Sequence, residues 1–128
     1  MKPTFDHYAD HDLKINYNVI KGDFKFEDFV KKLDKVVRNP DYNVSYNILI
    51  DIREANFINF MKKSSILIDY FQDKLSFLNM NRKCAFLTSK PIDIAHATLI
   101  IEKFRIVGFP IKFEIFSSEG IALSWLSV

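Results

Sequence analysis

The chain has 128 residues, of which 48% are hydrophobic and 27% are charged. This length and composition are typical of one globular domain spanning residues 1–128, and they exclude a disordered chain, a collagen-like repeat and a large multidomain enzyme. The 18 Lys and Arg residues and 16 Asp and Glu residues give a net charge of +2. We expect no nucleic-acid partner, because the chain has no surplus of positive charge to bind phosphates.

The cysteine content and the hydropathy indicate the compartment. The single cysteine, Cys84, cannot form a disulfide within the chain, which favours a reducing environment. The N-terminal residues lack the apolar stretch of a signal peptide, and no apolar run reaches the ~20 residues of a membrane-spanning helix. The sequence therefore predicts a cytoplasmic protein without a transmembrane segment.

The first third of the chain predicts a β-hairpin followed by a helix. Residues 4–8 and the alternating apolar positions of residues 13–19 indicate two strands, joined by a turn at residues 9–12. Gly22, with the aspartate after it, is expected to end the second strand. Apolar side chains then recur at helical spacing over residues 26–38, which predicts an amphipathic helix.

The remaining elements alternate between strands and helices. They are predicted as a buried strand at 47–52, a helix at 60–79, a strand at 84–88, a helix from Pro91 that ends before Gly108, a strand at 111–116 and a last helix capped by Ser117 or Ser118. We expect Trp125 to anchor the last helix against the sheet. The order ββαβαβαβα predicts an α/β fold with about four helices and a mixed, mostly parallel sheet of about five strands, one hairpin strand being antiparallel at an edge.

The order of the elements and three short motifs resemble the STAS fold. The motifs are Gly22 before the first helix, the strand end Asp51, Ile52 and Arg53, and the closing residues Ala122, Trp125 and Leu126. Over nearly its whole length the chain resembles small stand-alone bacterial STAS or SEC14-like proteins, which are related to anti-sigma-factor antagonists. The resemblance implies a non-enzymatic regulatory or protein-interaction module.

The resemblance does not extend to the phosphoserine switch of the antagonists. In those proteins a serine that follows the strand is phosphorylated, and the phosphate controls partner binding. Residues 51–55 of this chain contain neither serine nor glycine. Ser64 and Ser65 lie about one turn inside the predicted helix, and the sequence leaves open whether either is modified.

The candidate binding site is the carboxyl end of the predicted central strands. Open α/β sheets bind ligands at this edge. The candidate residues are Asp51, Arg53, Glu54, Phe57, Phe60, Met61, Thr88 and Ser89. A local ion pair of Arg53 with Asp51 or Glu54 is the alternative interpretation of the charged residues. Residues 57–61 predict an apolar loop, whose phenylalanines either pack into the core or form a partner surface or the mouth of a pocket.

The sequence predicts no catalytic site, metal or cofactor. The three glycines do not form a phosphate-binding motif. Cys84 and His96 are the only thiol and imidazole to consider as a nucleophilic pair, and we expect Cys84 to be a packed core residue. His7 and His11 have the four-residue spacing of helical metal ligands, but their segment predicts strand and turn.

Two functions remain open on the sequence alone. The first is a non-enzymatic STAS-like regulatory or interaction module with an unknown protein partner. The alternative is a carrier or binder of a small apolar molecule or lipid, which the 13 phenylalanines and the apolar loop favour. The sequence also leaves the oligomeric state open, with a homodimer among the alternatives.

Overall fold

The structure is a computed structural model that describes residues 2–78 and 80–128. In chain order its elements are β1 (Thr4–Asp10), β2 (Ile15–Lys25), α1 (Phe26–Val37), β3 (Asn47–Ile58), α2 (Phe60–Asp73), a 3₁₀ turn (Ser76–Leu78), β4 (Arg82–Leu87), α3 (Pro91–Val107), β5 (Ile111–Phe116) and α4 (Glu119–Leu126). The predicted α/β class and the order ββαβαβαβα are therefore confirmed.

The five strands form one sheet in the order β1-β2-β3-β4-β5. β1 pairs with β2 in the antiparallel direction at one edge. The three remaining pairs are parallel, because a helix connects each strand to the next. The mixed, mostly parallel sheet is as the sequence predicts.

The helices cover the two faces of the sheet unequally. α1, α2 and α3 bury a large core on one face, to which they contribute Val30, Leu67 and Ile100. On the other face α4 buries Ala122 and Leu126 in a smaller core. α4 has eight residues and packs mainly over β3, β4 and β5. We call the first side the three-helix face and the second the open face, since in the described part of the chain no other helix packs there.

β2 and β3 continue beyond the ends that the sequence predicts. β2 does not end at Gly22; it extends to Lys25, which pairs with Ile58. Gly22 has φ +89°, and a Cβ at this position would lie 2.7 Å from the carbonyl oxygen of Lys2. The glycine therefore allows the N-terminal segment to approach the strand closely, rather than ending the strand.

Two further boundaries differ from the predictions, and a third is one of the predicted alternatives. The hairpin turn lies at residues 11–14, where the Asp10 carboxylate accepts hydrogen bonds from the amides of Asp12 and Leu13 at 3.0 and 2.9 Å. α2 ends at Asp73, and position 79, the predicted end, lies outside the described residues. Of the two serines proposed as the last cap, Ser118 is the N-cap of α4.

Candidate functional site

A β-bulge places two consecutive charged side chains on the open face. Val19 of β2 pairs with Asp51, whereas Lys21 pairs with Glu54, so β3 has one more residue than β2 over this stretch. Arg53 and Glu54 are both exposed. Bulges re-aim side chains and are frequent beside functional sites.

The guanidinium of Arg53 joins two carboxylates on the open face. It donates to both oxygens of Asp51, at 3.0 Å from Nε and 2.8 Å from Nη2. The same Nη2 lies 3.4 Å from Oε1 of Glu119, at the start of α4. Beside this group, Nζ of Lys21 lies 3.4 Å from Oε2 of Glu54. The predicted local ion pair is therefore present with Asp51, and α4 adds a carboxylate.

The ion pair shifts the pKa values of both Asp51 and Arg53. Partial burial raises the pKa of the Asp51 carboxyl, but the hydrogen bonds from the side chain and backbone of Arg53 lower it more. The resulting pKa lies below the ordinary aspartate value. The hydrogen bond to Asp51 raises the pKa of Arg53. The pair is therefore fully ionised at neutral pH.

Two stacked tyrosines continue the surface toward the sheet edge. Tyr8 of β1 and Tyr17 of β2 are cross-strand partners, and their rings lie 4.7 Å apart at an interplanar angle of 7°. Tyr17 is buried, whereas Tyr8 is 54% exposed. Burial, then the charges of Glu119 and Asp10, raise the pKa of Tyr8. Tyr8 of the edge strand therefore lies within electrostatic range of Glu119 on α4.

The predicted apolar loop at residues 57–61 does not exist. Phe57 belongs to β3, and Phe60 and Met61 begin α2. Phe60 is 4% exposed and stacks on His96 with ring centroids 4.0 Å apart. Phe57 packs edge-on against Phe29, at 5.0 Å. Of the three candidate site residues in this segment, Phe57, Phe60 and Met61, only Met61 is exposed, at 72%. The extra residue of the bulge turns Phe57 toward the core, so both phenylalanines follow the first of the two alternatives and pack into the core.

The two candidate site residues that follow β4 differ in their exposure to solvent. Thr88 is buried and Ser89 is exposed. After them, Nζ of Lys90 donates to the carbonyl oxygen of Ala55 at 2.6 Å and lies 3.1 Å from Oδ2 of Asp93. Lys90 therefore ties this loop to the part of β3 that extends beyond β4.

The candidate residues thus form two groups instead of one site. Asp51, Arg53 and Glu54 lie on the open face, and Phe57 and Phe60 lie under the three helices. Tyr8, Lys21 and Glu119 are not among the residues that the sequence predicts for the site. The period of two along a strand could have indicated Tyr8, because it places this residue on the same face as Asp6 and Asp10 and opposite Phe5. No local pattern in the sequence indicates that Glu119 approaches Arg53, because 66 residues separate the two.

The cysteine and histidines occupy structural positions. Cys84 is buried with Ile48 and Ile111, whereas His96 stacks on Phe60, so the expected packing of the thiol is confirmed. His7 lies 3.1 Å from Oδ1 of Asn16, and His11 lies 2.9 Å from the hydroxyl of Tyr46. Residues 2–78 and 80–128 contain no group of three potential metal ligands.

The three-helix face encloses two small cavities. The larger, which we call the core cavity, has a volume of about 80 Å³. Its lining is apolar except at a few side chains, among them Asn18, Tyr42, Arg82 and Cys84. The second cavity, of about 40 Å³, lies beside Phe60 and His96.

Helix length and hydropathy bear on membrane insertion. None of the helices in the described ranges combines the length and the apolar character that crossing a bilayer requires.

Comparisons with known proteins give a fold match. No family model matches the chain, and no curated protein matches it in sequence. Among solved structures, it is similar to the crystal structure of an uncharacterised DUF3478-family protein with a SpoIIAA-like fold from Shewanella loihica PV-4. The two chains are 16% identical, with a TM-score of 0.55, over 97% of this chain and 93% of the other. This protein therefore has a SpoIIAA-like fold, which confirms the STAS-like architecture that its sequence resembles.

Proposed function

We propose that this protein is a non-enzymatic STAS-like module that regulates a partner protein by binding it through the open face. The observation that carries the proposal is the position of Arg53. Its half-exposed guanidinium is oriented by Asp51 and Glu119, and the exposed ring of Tyr8 lies near Glu119. Arginine and tyrosine are the side chains enriched at the centres of protein interfaces, where oriented groups lose little entropy on binding.

The charges on this surface indicate the chemistry of the partner. Four carboxylates, those of Asp6, Asp51, Glu54 and Glu119, share the surface with the cations of Lys21 and Arg53. The surface is therefore locally acidic, although the whole chain has a net charge of +2. A basic segment of a partner protein is complementary to it, and the association rate should fall as salt rises.

The proposal includes no phosphoserine switch. Residues 51–55 have no hydroxyl side chain. Ser64 is buried, and its Oγ accepts a hydrogen bond from Nζ of Lys103 at 3.1 Å, so a kinase would have to separate α2 from α3 to reach it. Phosphoproteomics of the native protein tests this point. Stoichiometric phosphate on Ser64 or on the exposed Ser65, together with a change in partner binding, would restore the switch.

Site-specific photo-crosslinking in the native cell tests the interaction. A photoreactive amino acid replaces Tyr8 on the open face or, as a control, Ile106, which is exposed on α3. We expect one protein to crosslink from position 8 and not from position 106. Crosslinking of the same proteins from both positions would count against an interface on the open face.

Charge reversal then tests the surface with the captured partner. Glu119→Lys should weaken binding at least tenfold, because it places a cation against Arg53 and against the basic partner. Glu102→Lys is the matched control, since Glu102 also pairs with an arginine, Arg105, but on α3. Equal affinities of Glu119→Lys and the unaltered protein, with both chains folded, would refute the proposed surface.

The volume of the interior limits the alternative function of a lipid carrier. The two cavities have volumes of about 80 and 40 Å³, whereas ligand pockets usually measure roughly 300–1,000 Å³. A lipid would require the helices to separate from the sheet. The interior therefore supports the binding of a small molecule better than the transport of a lipid.

A further inference from the structure

The core cavity contains a buried cation without a counter-charge. Arg82, the first residue of β4, lines the cavity and is 5% exposed. Its Nη2 donates to the carbonyl oxygen of Leu78 at 3.2 Å, its Nη1 lies 3.4 Å from the hydroxyl of Tyr42, and its buried Nε has no partner. Within the described residues no carboxylate lies at ion-pair distance from this guanidinium.

The titratable neighbours of Arg82 do not neutralise it. Burial raises the pKa of the Tyr42 phenol, in spite of the opposing effect of Arg82. Burial also raises the pKa of the Cys84 thiol to about 12. Both groups are therefore uncharged at neutral pH. Buried charges in proteins are normally paired, because an unpaired one loses its hydration without compensation.

We propose that the core cavity binds a short monocarboxylate, whose carboxylate pairs with Arg82 and whose hydrocarbon chain occupies the apolar remainder of the cavity. An arginine guanidinium can hold a carboxylate through two parallel hydrogen bonds, and Nε with Nη2 provides such a pair of donors. Nη2 carries two hydrogens, of which the carbonyl of Leu78 takes one.

The rest of the lining selects an apolar body. Phe71, Phe104 and Ile100 border the cavity, among other hydrocarbon side chains. An engineered apolar cavity of ~150 Å³ takes up benzene. Benzene has six non-hydrogen atoms, so by this comparison the core cavity, with its volume of about 80 Å³, accommodates a ligand of roughly three or four non-hydrogen atoms, such as acetate. The proposal concerns the interior and does not rest on partner binding at the open face.

Titration of the unaltered protein with acetate tests the site directly. The NMR signal of the Arg82 Nε–H group reports on the guanidinium, and acetamide serves as the neutral probe of the same shape. We expect acetate to shift this signal in a saturable manner and to raise Tm, while acetamide and an equal concentration of chloride do neither. An unchanged Arg82 signal, or equal responses to acetate, acetamide and chloride, would overturn the proposal.

A variant separates binding at Arg82 from a general effect of the anion. Arg82→Met keeps an apolar side chain of similar length and removes the charge. The Tm of this variant should not respond to acetate, whereas Arg105→Met, which removes an exposed arginine, should keep the full response. A persistent response of Arg82→Met would place the anion elsewhere. If Arg82→Met does not fold, the titration of the unaltered protein decides alone.

Discussion

At the scale of single residues, the ion pair between Asp51 and Arg53 joins a largely buried carboxylate to a more exposed guanidinium. The Asp51 side chain is 13% exposed and that of Arg53 is 44% exposed. The carboxylate is therefore the fixed member, and the guanidinium is the member that faces solvent. In the proposed interaction this strand end presents an arginine to the partner without leaving a buried charge unpaired.

The lowered pKa of Asp51 predicts a defined dependence of stability on pH. A carboxylate whose pKa is lower in the folded than in the unfolded chain stabilises the fold above its unfolded value of roughly 4, and this contribution is lost as the pH falls through the folded value. Asp51→Asn should lower the free energy of unfolding by about 1 kcal/mol near neutral pH. Denaturant titrations at several pH values measure the difference.

The matched control for that series is Asp69→Asn, because Asp69 is exposed on α2. The stability difference between the unaltered protein and Asp51→Asn should shrink as the pH falls below about 4, the unfolded pKa. A difference that stays constant as the pH falls well below the unfolded value would contradict the role of the pair.

The opposite placements of Phe60 and Met61 predict a large contrast between neighbouring residues. Phe60 is buried against His96, and Met61 projects into solvent. Phe60→Ala should cost about 3–5 kcal/mol of stability, since it removes a core ring. Met61→Ala should cost less than about 0.5 kcal/mol. Chemical denaturation measures both, and similar costs would mean that α2 does not bury Phe60 and expose Met61 as described.

At the scale of elements, α4 is held by side chains other than the one that the sequence favours. Leu126 and Ala122 are buried, whereas Trp125 is half-buried against Phe116, with the ammonium of Lys83 over its ring. Leu126→Ala should therefore cost about 2–5 kcal/mol, and Trp125→Ala should cost less. Thermal melts of the two variants decide this, and a lower Tm for Trp125→Ala would support the original expectation that tryptophan is the main anchor.

Two glycines with similar backbone angles should respond differently to substitution. Gly22 has φ +89° and meets Lys2, whereas Gly108 has φ +83° and nothing within 4 Å of an added Cβ. Gly108→Ala should cost about 1 kcal/mol, from the left-handed backbone alone. Gly22→Ala should cost more, because the Cβ collides with the carbonyl of Lys2.

Removal of residues 1–3 tests the origin of that difference. Without the N-terminal segment the collision disappears, so the cost of Gly22→Ala relative to the shortened chain should approach that of Gly108→Ala. If Gly22→Ala still costs more stability than Gly108→Ala in the shortened chain, contact with the N-terminal segment is not the cause of the difference.

At the scale of the whole molecule, the fold could be predicted where local signals and tertiary packing agree. The helical spacing of apolar residues in α1, the residues Pro91 and Gly108 around α3, and the buried apolar run that begins β3 each point to the observed element. Strands separated by helices then imply a parallel sheet. These features depend on neighbours in the sequence, which is why one sequence suffices to predict them.

The candidate site was predicted less completely, because its arrangement depends on long-range pairing. The bulge after Asp51 arises from the register between β2 and β3, and it turns Phe57 inward and Arg53 and Glu54 outward. A strict alternation along β3 cannot indicate such a shift. Glu119 approaches Arg53 only because α4 folds back over the sheet.

The uneven lengths of the strands have a consequence for solubility. β3 pairs with β4 only as far as Asp51 and Leu87, so in the described structure no strand borders β3 from Arg53 to Ile58 on that side. Such a row of free backbone groups is a template on which another chain can add a strand. Lys90, whose ammonium holds the carbonyl of Ala55, places a charge at the middle of this edge and should keep copies of the protein from aggregating through it. Lys90→Met should therefore increase light scattering on prolonged warming below Tm. Lys62→Met, on the exposed start of α2, should not increase it. Equal scattering by the two variants would show that this edge is protected in another way.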